Sequence, residues 1–323
     1  MPFKLDPEVG AGLVKMMGSG GPVPQLEVGD WKTRRENAER LFKTLERPVP
    51  DNVKTKDYET TGIDGNKILL RWYEKEETAK GGPAVLYLHG GGYIAGSVPL
   101  YDALVATYVK ATGVPFLSVE YRLAPETQYP GNVADAHAGL VWLYKHASNL
   151  GVDVQRLAVM GDSAGGGLAA ALTHYNLEKK GPAIAKQILV YPMLDDRNIG
   201  AHPHIGQLAF WAQDDNKTGW SSILGSRNGS VDLPPSAAPS RMNSAEGLPP
   251  LYLDVGEVDI FRDEDIEYAA RFGKVGIECE LHMYPGCPHA FESLAPEAVV
   301  SKAAMANRFR SILSIEKVGV SKL

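Results

Sequence analysis

Cysteine is scarce in this chain. Cys279 and Cys287 are its two thiols in 323 residues, too few for the disulfide framework of a small secreted domain. Long hydrophobic runs are missing as well: no stretch approaches the roughly 18 apolar residues expected of a membrane span. The opening Met1-Pro2-Phe3-Lys4-Leu5-Asp6-Pro7 lacks the apolar core of a secretory signal. There is no basic excess, since 33 Lys and Arg stand against 39 Asp and Glu for a net charge of −6. A nucleic-acid binder would carry a basic stripe. Neither G-x-x-x-x-G-K-[ST] nor G-x-G-x-x-G is satisfied where glycines cluster, which argues against a phosphate cradle. His202-Pro203-His204 has no further ligand cluster beside it, so no metal and no cofactor are expected. The sequons at 216–218 and 228–230 would matter only in a secreted chain. These absences lead to the expectation of a cytoplasmic protein with a small-molecule partner, no nucleic acid and no membrane span; homodimer formation stays open.

What is present is a core. Hydrophobic residues make up 44% and charged residues 22% of the chain, which suits a globular fold and not a disordered one. From about residue 67, strand-like blocks at 68–73, 84–89, 116–121, 157–160, 187–191, 251–255 and 280–284 alternate with helical patterns. The helical patterns fall at 102–111, 133–147, 164–178, 263–274 and 297–313. Val85, Leu86, Tyr87 and Leu88 form an unbroken apolar run, as in a strand covered on both faces. This alternation predicts an α/β fold with a mainly parallel central sheet flanked by helices. Two regions break it. Residues 1–50 include a helical pattern with Asp30 as N-cap and an apolar face of Trp31, Ala38, Leu41 and Phe42. Residues 196–247 form a long insertion carrying Phe210, Trp211 and Trp220. Together they are expected to make a helical cap over a catalytic domain spanning 51–323.

The chemistry is concentrated at strand ends. Gly161-Asp162-Ser163-Ala164-Gly165 follows an apolar strand and runs into a good helix start, the setting that a nucleophile elbow requires. His89-Gly90-Gly91-Gly92 ends another strand, and its bare amides can approach an oxyanion. Gly90, Gly91 and Ala164 are the expected donors, with His89 holding the loop. The order Ser, then Asp or Glu, then His places the base beyond Ser163. His289 follows the last strand, whereas His282 lies within it. Asp259, in the loop after the preceding strand, is the expected orienter; Asp263 reads as a helix N-cap and Asp254 as part of the strand. Cys287 is close to His289, but the elbow already supplies a nucleophile.

On these motifs the chain resembles the hormone-sensitive-lipase-like branch of the α/β-hydrolases, whose members carry H-G-G-G and G-D-S-A-G-G. Tyr121-Arg122-Leu123-Ala124-Pro125-Glu126 also matches a segment of that branch. Its acidic D-x-L-x-D-E pattern reads here Asp259-Ile260-Phe261-Arg262-Asp263-Glu264, with phenylalanine for leucine. Its H-G-F reads His289-Ala290-Phe291, and the 30 residues from Asp259 to His289 match the usual spacing. The resemblance spans roughly residues 50–315. It implies a serine carboxylesterase for short to medium acyl esters, with catalytic Ser163, Asp259 and His289. The same machinery could serve an amide, lactone or lactam. A non-catalytic receptor of this branch, such as the plant gibberellin receptor, has lost the histidine that this chain retains as His289.

Overall fold

The apolar run that stands out in the sequence becomes the middle of a sheet. Val85, Leu86, Tyr87 and Leu88 lie in a strand with both faces covered, each at most 1% exposed. The computed structural model describes residues 3–17, 26–45, 48–200 and 202–319. Parts of the expected cap (residues 1, 2, 18–25, 46, 47 and 201) lie outside the described residues.

Eight strands form one sheet: β1 (Val53–Thr61), β2 (Lys67–Lys75), β3 (Gly82–Leu88), β4 (Phe116–Val119), β5 (Val152–Asp162), β6 (Lys186–Val190), β7 (Leu251–Gly256) and β8 (Cys279–Tyr284). Their order is β1-β2-β4-β3-β5-β6-β7-β8. β1 and β2 pair antiparallel, as do β2 and β4, and every other pair is parallel. This is the mainly parallel sheet expected from the alternation. β1 is the strand that the apolar pattern does not reveal. It is a sheet edge, and Lys54, Thr55, Lys56 and Asp57 are exposed along it, so it has polar residues where a central strand has none.

The helices follow in chain order as α1 (Pro7–Met17), α2 (Trp31–Leu45), α3 (Val98–Thr112), α4 (Gly131–Leu150), α5 (Ala164–Glu178), α6 (Gln213–Leu224), α7 (Arg262–Lys274), α8 (Phe291–Leu294) and α9 (Val299–Leu313). α4 and α5 pack together against β3 and β5, while α3 packs with α9 on β2, β4 and β6. The two pairs cover the sheet's opposite faces, as right-handed crossovers require. No helix among the described residues is long and apolar enough to cross a membrane.

Two local expectations change. Asp263 is not the N-cap of α7: Phe261 holds that position, and Asp263 sits in the first turn paired with Arg262 at 2.7 Å. The helix begins early because the Asp259 carboxylate accepts the Phe261 N–H at 3.0 Å and turns the chain there. Asn216, in the first sequon, is fully buried in α6 and donates to the Asn198 carbonyl, so folding closes that site to modification. Asp30 does cap α2, accepting the Thr33 N–H at 3.1 Å.

Candidate active site

β5 ends at Asp162 and α5 starts at Ala164, leaving Ser163 alone in the turn at φ 56°, ψ −124°. A non-glycine residue held there is strained, and its own backbone bonds hold it. The Ser163 N–H donates to the Val190 carbonyl at 2.9 Å, and its carbonyl accepts the Met193 N–H at 3.0 Å. The flanking glycines are steric necessities. A Cβ on Gly161 would stand 2.2 Å from the Gly165 carbonyl oxygen, and one on Gly165 the same distance from that of Leu88.

The loop after β8 carries His289 back over this turn. The Ser163 hydroxyl donates to His289 Nε2 at 2.8 Å, and His289 Nδ1 donates to Asp259 Oδ2 at 2.6 Å. Asp259 is fully buried, and Ser163 and His289 are nearly so. A carboxylate on Nδ1 selects the tautomer whose bare Nε2 faces the hydroxyl. Two rings stand edge-on to the imidazole, Tyr191 at 4.6 Å and Phe261 at 5.2 Å. Tyr191 is itself tied to Glu292 by a 2.5 Å hydrogen bond, and Glu292 pairs with the buried Arg308.

The loop after β3 brings its glycines to the same place. Gly91, an expected donor, lines the cavity at Ser163, and so does Gly92, which is not among the expected donors. Gly90 lies a step behind: a Cβ there would meet the Asp162 carboxylate at 2.7 Å and the Tyr101 hydroxyl at 2.9 Å. Ala164 is the first residue of α5, so its amide is one of the helix's unpaired donors, at the dipole's positive end beside Ser163. His89 is a post, not a base. It stacks on Tyr121 at 4.4 Å, its Nδ1 donates to the Gly90 carbonyl, and burial pushes its pKa down to about 4. Its ring is neutral at physiological pH.

Asp162 is a variable position of the elbow motif, and its surroundings set it apart. It is buried beneath the elbow and accepts the hydroxyls of Tyr87 at 2.5 Å and Tyr101 at 3.2 Å. Burial nevertheless raises its pKa to about 6. Of the pair His202 and His204, the first is bound to the Asn198 side chain, the second is exposed, and neither lines the cavity at Ser163. Cys287 is buried, and its thiol is pushed up to about 12 by that burial, which makes it inert as a nucleophile.

A sequence profile described as alpha/beta hydrolase fold matches residues 85–293. The chain belongs to the α/β-hydrolase family. Among curated relatives, the ethyl acetate hydrolase of Pseudomonas putida is 30% identical over 281 residues, covering 84% of this chain and 85% of its own. Carboxylesterase NlhH of Mycobacterium tuberculosis is 32% identical over 251 residues, covering 76% and 78%. Among solved structures, a bacterial heroin esterase superposes with a TM-score of 0.87 at 33% identity, covering 97% of this chain and 99% of that one. The match places this α/β-hydrolase in the hormone-sensitive-lipase-like branch that its motifs resemble.

In this hydrolase the cavity over Ser163 measures about 120 Å³ and is walled largely by apolar side chains. Ala38, Leu41 and Phe42 reach it from α2, and Phe210 and Trp211 reach it from the insertion. Trp220, by contrast, is core: it is buried against Tyr93 at 5.5 Å. A larger cavity of about 600 Å³ lies at the other end of the parallel strands, near Lys186 and Pro250. It contains none of Ser163, Asp259 and His289, so volume is a poor guide to chemistry in this molecule.

Proposed function

We propose that this carboxylic-ester hydrolase works by acyl transfer through Ser163 on esters of short to medium acyl chains. The observation that carries the reading is the continuous relay Ser163–His289–Asp259, at 2.8 and 2.6 Å, on a strained elbow. His289 takes the Ser163 proton as Oγ bonds to the carbonyl carbon. The resulting oxyanion is held by backbone amides, each worth roughly 3–4 kcal/mol in well-placed sites. Gly91, Gly92 and Ala164 are the donors best placed for this; Gly90 supports them from behind. When the carbon–oxygen bond to the alcohol breaks, His289 gives its proton to the departing oxygen. Water then repeats the sequence and frees the acid. Asp259 holds the imidazole tautomer throughout and stabilises the imidazolium.

In this reading α2 and the 196–247 insertion are the cap. The Arg34–Asp215 ion pair at 2.7 Å, which joins α2 to α6, supports it, as do the cavity contacts of Phe42, Phe210 and Trp211. A cytoplasmic setting fits the free thiols of Cys279 and Cys287. Ser163→Ala tests the core of the proposal. It should fold normally yet lose nearly all hydrolysis of p-nitrophenyl butyrate, and a serine-directed phosphonate should label Ser163 in the parent protein. Near-normal turnover by the folded variant would place the nucleophile elsewhere.

A further inference from the structure

The cavity at Ser163 is small. Pockets that enclose a whole drug-sized ligand measure roughly 300–1,000 Å³, whereas this one measures about 120 Å³. A second cavity of about 300 Å³ adjoins it. Leu41, Phe42, Tyr101, Tyr191, Phe210 and Ala290 face both spaces, so the two are neighbours across a thin wall of side chains. Within that wall Tyr101 is anchored by its hydroxyl to Asp162, and Tyr191 by its hydroxyl to Glu292. Phe42 has no such anchor. It hangs from α2 and rests edge-on against Tyr101 at 5.6 Å; with Phe210 it is one of two unanchored rings in the wall, and its removal would open the wall on the α2 side.

The position of the second cavity says which half of an ester it suits. It runs along Glu292, Ser293 and Leu294, just past His289, beneath Leu104 of α3 and Phe309 of α9. Gly91 and Gly92 border only the smaller space. An ester placed with its carbonyl oxygen at those glycines directs its leaving oxygen toward His289, the group that must protonate it. The alcohol half therefore points toward the larger space, and the acyl half stays on the glycine side. The polar residues bordering the larger space are Tyr101, Thr107, Asp162, Tyr191, Glu292, Ser293 and Glu297, and among the described residues no lysine, arginine or histidine lines it. A carboxylate or phosphate carried into it would find no cation among those lining residues to pair with.

We propose that Phe42 partitions a two-chamber substrate site, and that the chamber beyond it receives a bulky, neutral or cationic alcohol arm. This rests on the acyl-transfer reading above and adds the substrate class to it. The experiment compares acetates of phenol and 4-phenylphenol, together with p-nitrophenyl butyrate and octanoate, on the parent, Phe42→Ala and Leu104→Trp. Opening the wall should raise the kcat/KM ratio of the phenylphenyl to the phenyl acetate about tenfold, and filling the chamber with tryptophan should lower it about tenfold, the usual scale for a group gained or lost in an apolar pocket. The octanoate-to-butyrate ratio should move much less in both. On the parent, 4-acetoxybenzamide should be preferred to 4-acetoxybenzoate. If Phe42→Ala and Leu104→Trp shift the acyl ratio and leave the alcohol ratio in place, the chamber belongs to the acyl half and the proposal fails. If neither ratio moves, the second space is not a substrate site. A parent inert toward all these esters would instead remove the acyl-transfer reading itself.

Discussion

Two aspartates four residues apart, Asp259 and Asp263, illustrate how much environment decides a residue's role. Asp259 is fully buried, with one oxygen on the Phe261 amide and the other on His289. Asp263 is exposed and paired with Arg262. Asparagine at 259 could donate its amide to Nδ1 and so favour the tautomer with Nε2 protonated, which cannot accept the Ser163 proton. Asp259→Asn should therefore lower kcat by roughly three to four orders of magnitude, as in other triads. Asp263→Asn should change kcat less than about twofold, because it removes only an exposed ion pair. Steady-state kinetics on both variants checks this, and the opposite ranking would move the orienter to Asp263. Residues at this scale were legible where the chain marks them individually. Ser163, Asp259 and His289 each follow a recognisable strand, and the order rule ranks their competitors. The three glycines after His89 carry no such mark. Which of them borders the cavity depends on how the loop packs on Asp162 and Trp211, and the contact of Gly92 with Trp211 crosses more than a hundred residues of sequence.

At the scale of elements, α2 is tied to the body by Arg35 and Arg34 as well as by its apolar face. Arg35 donates to both oxygens of Glu126 at 2.8 Å, to the Ala124 carbonyl at 2.9 Å and to the Ile94 carbonyl, while its guanidinium lies over Trp31 at 4.5 Å. The segment Tyr121–Glu126 thus serves two ends: Tyr121 steadies His89, and Glu126 receives the helix that roofs the cavity. Glu126 is more than half exposed, so solvent screens the ion pair and most of the anchoring falls to the carbonyl bonds. Arg35→Ala should loosen α2 locally. Hydrogen exchange of its amides should quicken about tenfold, equivalent to about 1.4 kcal/mol, with little change in β5. Unchanged exchange in α2 would show that its apolar face alone suffices. The helix was visible in the sequence through its N-cap Asp30 and its apolar stripe, but the tether was not, because its acceptors come from distant loops. β1 escaped for the opposite reason: an exposed edge strand pairs through its backbone and needs no apolar run to do so.

Taken as a whole, the molecule closes a small apolar space over Ser163, and on the proposed mechanism that space limits the acyl chain. Each buried methylene should add roughly 0.8 kcal/mol to binding until the chain meets a wall, and overfilling then costs energy. Hydrolysis of p-nitrophenyl esters should peak within about C2 to C8 and fall steeply for palmitate. Strong activity on long-chain triglyceride emulsions would mean that the proposed cap moves far more than its tethers suggest. The large-scale layout was the most legible level, since periodicity and strand-end motifs survive without knowledge of any long-range contact. The candidate groups hang from four strands, and Ser163 meets His289 across 126 residues of chain. At translation rates of roughly 5–20 residues per second, the ribosome delivers the histidine some 6 to 25 seconds after the serine. Under the proposed relay, the growing polypeptide carries throughout that interval a hydroxyl no more reactive than any other. On the proposed mechanism hydrolysis begins only after residue 289 has been made, so a chain cut short of it poses no hydrolytic hazard to the cell that is building it.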